Sequence, residues 1–162
     1  MAAYKISVEK GHLDFAAGHF ITYSGRAETL HGHNYRVRVE VEGELDENAH
    51  VWDFGSLRRM TRRLLDELDR RTLLPKENPA LRVTEVGDGV EVHYMEGRYV
   101  FPRQDVVLLP VPNTSAEMLA RYLAGQLKLD LLAAGAAHLS ALVVEVEESS
   151  GQSASYRELL GG

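Results

Sequence analysis

Three histidines have the type and spacing to hold a metal ion: His19, and the pair His31 and His33 on either side of Gly32. In an extended strand, side chains two residues apart share one face roughly 6.5–7 Å apart, so a single ion could sit between His31 and His33. His19 would be the third ligand. Three neutral imidazoles suit Zn²⁺, with Zn–N distances of about 2.0–2.1 Å, and three protein ligands leave a fourth position for water or substrate. Such a centre is catalytic rather than structural. A His-x-His pair also arises by chance, and a lone histidine is more often a surface or hydrogen-bonded core residue, so the spacing needs support from its surroundings.

The elements that must position these residues are legible. Over 33–43, Tyr35, Val37, Val39 and Val41 fall on one face and Asn34, Arg36, Arg38, Glu40 and Glu42 on the other, the pattern of a half-buried antiparallel strand. Parity carries His31 and His33 onto the Tyr35 face. Residues 4–9 alternate as a strand, and Phe15-Ala16-Ala17-Gly18 leads the chain into His19. Asp53 is a plausible N-cap for a helix over 54–69, with Phe54, Leu57, Met60, Leu64, Leu65 and Leu68 at helical spacing. The run Thr114-Ser115-Ala116-Glu117 reads as a capping box opening a second helix through Leu119, Tyr122, Leu123, Leu127 and Leu131, with Gly135 as its end. A last strand over 139–148 alternates Leu142, Val144 and Val146, and Glu148 continues that apolar row, where a carboxylate needs a partner. Between the helices, the turns Gly87-Asp88-Gly89 and Glu96-Gly97 mark a β-meander inserted at about 80–108. The last dozen residues read as a loose tail. The sum is one α+β domain over 1–162, with two helices on one face of an antiparallel sheet.

Composition narrows the function. With 162 residues, 44% of them apolar, the chain is the size of one domain with an ordinary core. It has no Cys, which excludes disulfides, thiolate metal sites and a thiol nucleophile. No run of about 18 apolar residues and no signal-peptide core is evident, so a soluble, cytoplasmic protein without a membrane partner is expected. A net charge of −6 gives no general attraction to nucleic acid. The local cluster Arg58, Arg59, Arg62, Arg63, Arg70 and Arg71 reads as a solvated helix face, partly neutralised by Asp66 and Glu67 at i,i+4.

The strings Phe15-Ala16-Ala17-Gly18-His19, Leu30-His31-Gly32-His33-Asn34-Tyr35 and Trp52-Asp53-Phe54-Gly55-Ser56-Leu57 resemble the motifs of the 6-pyruvoyl-tetrahydropterin synthase family, which includes the 6-carboxy-tetrahydropterin synthases. Leu68-Asp69, Asn113 to Glu117 and Val144-x-Val146-x-Glu148-Ser149 extend the resemblance over nearly the whole chain. It implies a T-fold, with sheets joined around a homotrimeric barrel, two trimers stacked into a hexamer, and sites at subunit junctions. It implies Zn²⁺ on His19, His31 and His33. It also implies a pterin anchored by Glu148, with Thr114 and Ser115 nearby, a bidentate charge-assisted pair that would give the carboxylate its partner.

Family enzymes act on 7,8-dihydroneopterin triphosphate, with a Cys taking one proton and an Asp-His pair relaying another. The Cys position corresponds here to Ala27. The dyad corresponds to Asp69-Arg70, and a guanidinium cannot shuttle protons near neutral pH. Glu28 stands beside Ala27, and one branch of the family uses Glu in place of Cys, cleaving the side chain to give 6-hydroxymethyl-dihydropterin. Arg70 could instead hold a phosphate of the substrate tail. Two readings stay open: a zinc-dependent pterin lyase working through Glu28, Asp69 and Arg70, or a catalytically silent paralogue that binds zinc and a pterin.

Overall fold

The computed structural model describes residues 3–161. Its central sheet is built from β1 (Tyr4–Val8), β2 (Asp14–His19), β5 (His31–Gly43), β6 (Arg71–Pro75), β10 (Val106–Leu109), β11 (Leu139–Ser149) and β12 (Gln152–Leu159). The small hairpin β3 (Thr22–Tyr23) and β4 (Arg26–Ala27) lies between β2 and β5. The meander β7 (Arg82–Val86), β8 (Gly89–Tyr94) and β9 (Gly97–Pro102) forms a separate three-stranded sheet within the expected insert. The strand order is β10-β6-β2-β5-β11-β12, with β1 also paired to β5.

The long strand β5 organises the sheet because its thirteen residues outreach every neighbour. Its first half pairs with β2, its second half with β1, and its other edge with β11. The alternation read from the sequence is the observed one: Tyr35, Val37, Val39 and Val41 are buried against the helices. The helix α1 (Phe54–Leu68) is capped by Asp53, whose side chain accepts from Ser56 N–H, and buries Leu57, Leu64, Leu65 and Leu68. The helix α2 (Ala116–Ala133) buries Leu119, Leu123, Leu127 and Leu131 on the same core. Gly135, at φ +88°, takes the left-handed backbone that ends it.

Several expectations are corrected. The tail is not loose: Gln152–Leu159 forms β12, paired antiparallel along β11, and its alternate Ala154 and Tyr156 pack on the core. Polar residues on its outer face hide that strand from a hydrophobicity scan. The sheet is mixed, since β6 runs parallel to both β2 and β10. The cap of α2 is Ser115, accepting from Met118 N–H, one residue later than the capping-box pattern placed it. Phe54, assigned to the apolar stripe, is 56% exposed. Among the arginines, Arg62 pairs with Asp66 as expected, but Arg63 reaches Asp130 on α2. Arg58 donates to the carbonyls of Glu9 and Lys10, tying the β1–β2 turn to α1.

Leu65 has no exposed surface and sits between α1 and the sheet, so Leu65→Ala should lower unfolding free energy by about 2–5 kcal/mol in chemical denaturation. A loss below about 1 kcal/mol would contradict the packing described.

Candidate metal centre

Register alone brings the three histidines together. In the β2–β5 ladder His19 lies opposite His31, and Ala17 opposite His33, so all three rings project from one face of two adjacent strands. Ring centroids are 4.8 Å apart for His19 and His31, 5.1 Å for His19 and His33, and 4.8 Å for His31 and His33. One ligand atom from each ring and one carboxylate oxygen of Glu148 all lie within 4.8 Å of one another.

The hydrogen bonds set the tautomers. His19 Nδ1 is 2.8 Å from the Thr114 carbonyl and His31 Nδ1 is 2.7 Å from the Thr29 carbonyl. A carbonyl can only accept, so each Nδ1 carries the proton and each Nε2 presents a lone pair, the arrangement that orients metal-bound imidazoles. His19 Nε2 and His33 Nε2 are buried without a hydrogen-bond partner. Glu148 Oε1 lies 3.1 Å and 3.0 Å from them, close but out of hydrogen-bond alignment. Orphaned buried nitrogens converging with a carboxylate fit a divalent cation that takes nitrogen and oxygen ligands. Burial pushes the His19 pKa down, against the opposing pull of the Thr114 carbonyl and of Glu148, favouring the neutral ring that binds metal.

Glu148 reaches the cluster because β11 runs beside β5, with Val146 opposite Val37 and Glu147 opposite Arg36. Glu28 arrives by another route, just after the β3–β4 hairpin, with its backbone N–H donating to the Ile21 carbonyl. Its Oε2 is 3.6 Å from His31 Nε2, and its side chain is 30% exposed. Beneath lies Tyr35, fully buried and stacked on Phe15, its hydroxyl 3.3 Å from His19 Nδ1. Burial, then the charges of Glu148 and Glu28, push its pKa up, so the phenol stays protonated.

Other expected site residues are placed differently. Thr114 serves through its carbonyl, while its hydroxyl is buried and unpartnered, and Ser115 caps α2. Asp69 Oδ1 accepts from Ala16 N–H at 2.9 Å, so this carboxylate joins α1 to β2 and stands outside the imidazole cluster. Arg70 follows at φ +61° with its side chain 89% exposed. A groove over β2, β5 and β6 is lined by Ala16, Gly18, Asn34, Arg70, Arg71 and Thr72, of which Ala16, Gly18 and Asn34 alternate onto the sheet face opposite the imidazoles. Two bracing residues were given no role by the sequence, although Asn113 opens one of the resembling stretches. Asn113 bonds both the N–H and the carbonyl of Thr22, and Asn78 Nδ2 donates to Thr22 Oγ1 and the Pro112 carbonyl.

A two-helix T-fold domain carrying a three-histidine, one-carboxylate cluster defines the class of protein. Its family follows from comparison: the 6-pyruvoyl tetrahydropterin synthase profile matches residues 6–159, and the chain belongs to that family, whose members are lyases. A Methanocaldococcus jannaschii protein provisionally named a 6-carboxy-5,6,7,8-tetrahydropterin synthase is 32% identical over 149 residues, 91% of each chain. The Haemophilus influenzae 6-carboxy-5,6,7,8-tetrahydropterin synthase is 27% identical over 134 residues, 78% of this chain and 84% of that one. The solved 6-pyruvoyltetrahydropterin synthase of Plasmodium vivax superposes with a TM-score of 0.89 at 30% identity, covering 98% of this chain and 99% of that one. Solved variants of that enzyme carry alanine or cysteine in place of a glutamate designated its catalytic residue. Among the described residues, no helix is long and apolar enough to cross a membrane.

Proposed function

We propose that this chain is a zinc-dependent lyase of 7,8-dihydroneopterin triphosphate, or a closely related pterin, in which Glu28 takes the place of the family's cysteine and the product is 6-hydroxymethyl-dihydropterin. The observation that carries the reading is the Glu28 carboxylate 3.6 Å from His31 Nε2, at the rim of the metal cluster. The catalytic glutamate of the Plasmodium vivax enzyme supports it. His19, His31 and His33 would hold the ion. Bound there, Zn²⁺ would supply Lewis acidity to the hydroxyls of the substrate side chain.

Glu28 then acts as general base on the hydroxyl at C2′. As its carboxylate takes that proton, C2′ becomes an aldehyde, the C1′–C2′ bond breaks, and the electron pair passes into the conjugated C6=N5 system. A proton returned to C1′ completes the hydroxymethyl group, and the other fragment leaves as a phosphorylated two-carbon aldehyde. No oxidant is needed. Arg70 and Arg71, adjacent and exposed at the start of β6, suit the phosphate tail, since guanidinium forks match phosphate oxygens. Asp69 holds β2 in place beneath it.

Incubating the purified protein with dihydroneopterin triphosphate and identifying the pterin formed tests the reading. 6-Hydroxymethyl-dihydropterin is expected. A protein that binds zinc and pterin yet leaves the substrate intact is the silent paralogue, to which the absent Cys and dyad His would belong.

Glu148 Oε1 faces the imidazoles, leaving Oε2 for the N–H donors of the pterin ring. Glu148→Ala should weaken pterin binding more than about tenfold while three imidazoles keep the zinc. Unchanged affinity would place the ring anchor elsewhere. Assembly follows from the open sheet: β12 presents an unpaired edge with Leu159 exposed, and closure against further copies into a barrel covers it. Light scattering should report a trimer or hexamer, and a monomer at micromolar concentration would refute closure.

A further inference from the structure

The meander at 82–102 contributes no group to the metal cluster, yet its face is turned toward the segment that carries Glu28. On β8, Val90 and Val92 are fully buried, and on β9 their register partners are Phe101 and Tyr99. This face packs on Phe20, Ala27 and Leu30 in the second hydrophobic cluster of the protein. Phe20 stacks on Tyr99 at 5.1 Å between centroids. Tyr94, next on the inward row of β8, donates its hydroxyl to the Gly25 carbonyl at 2.8 Å.

The segment held in this way spans 20–30, bounded at one end by the ligand His19 and at the other by His31. It has little means of holding itself. Strands β3 and β4 are two residues each, and their turn uses left-handed backbone at Ser24 (φ +48°) and Gly25 (φ +73°). A hairpin that short is not independently stable in water. A general base, by contrast, must be held to within about 0.5 Å of its working position. Resting on the reading of Glu28 as that base, we infer that the meander supports the turn of the segment, in addition to the bonds of Asn78 and Asn113 to Thr22, and that Tyr94 is a positioning residue, acting on turnover through the Gly25 carbonyl and the hairpin.

Removing one solvent-accessible hydrogen bond is worth a factor of about 2–10. Tyr94→Phe should therefore lower kcat by about 2–10-fold, with KM and zinc content unchanged. The decisive comparison is a double-mutant cycle with Glu28→Gln. If Tyr94 acts through Glu28, Tyr94→Phe costs nothing further once Glu28 is Gln, whereas a general structural role costs the same factor in both backgrounds. Amide hydrogen exchange supplies a readout without turnover: in Tyr94→Phe the amides of residues 22–28 should exchange faster, and those of β2 and β5 should not change. Additive kinetics, or unchanged exchange in the hairpin, overturns the positioning role while leaving Glu28 as base. Full turnover in Glu28→Gln overturns the reading of Glu28 and the inference with it.

Discussion

Purified protein should carry about one Zn²⁺ per chain, and replacing His31 and His33 together by alanine should strip it completely. Loss of a hydrogen bond that merely supports a ligand costs 10–100-fold in metal affinity, so loss of two ligands should cost far more. Either substitution alone should release the ion on dialysis. The fold should survive, because His31 and His33 are only half-buried and their strand is anchored farther along by Tyr35, Val37, Val39 and Val41. Metal analysis beside a thermal melt of the metal-free proteins separates site from scaffold. Full zinc stoichiometry in the double variant would sink the assignment. His19→Ala is less clean, because that ring is buried and its bond to the Thr114 carbonyl ties β2 to the start of α2.

Glu28→Gln should reduce turnover by about 10²–10⁴-fold, the usual cost of removing a general base, with zinc and pterin binding retained. Glutamine keeps the size of the side chain and discards only its basicity, so the comparison isolates proton transfer from shape. Product identification in stopped samples, rather than substrate loss alone, is the measurement to make, because slow non-enzymatic decay of a dihydropterin would mask a large defect. Turnover at the wild-type rate would remove Glu28 from the chemistry. Should the wild type itself be inactive and Ala27→Cys with Arg70→His gain synthase activity, the silent-paralogue reading would stand, with Glu28 a loop residue beside a binding site that has lost its chemistry.

Much of the fold was legible because it is encoded by period. The row Tyr35-Val37-Val39-Val41 repeats every second residue and the α1 row Leu57, Met60, Leu64 and Leu68 every third or fourth, and both patterns report burial directly. Glu148 stood out for the same reason, as a carboxylate in an apolar row. β12 was missed because an edge strand whose solvated face carries Ser153, Ser155 and Arg157, and whose inner row is interrupted by Glu158, has a weak alternation. β6 and β10 were missed because parallel pairing leaves no local turn as a signal.

For the site, the sequence by itself determined the residue types, the His31–His33 phasing and the lack of any Cys. These are properties of residues and of spacing within one strand. Only the tertiary structure decided that His19 stands opposite His31 and that Glu148 comes from β11 to lie 3.0–3.1 Å from two Nε2 atoms. It also decided that Glu28 faces His31 while Asp69 is occupied with the Ala16 backbone. The physical reason is that these relations cross strands far apart in the chain. They are fixed by ladder register and by packing of the meander on the 20–30 segment, and neither leaves a trace in the order of neighbouring residues.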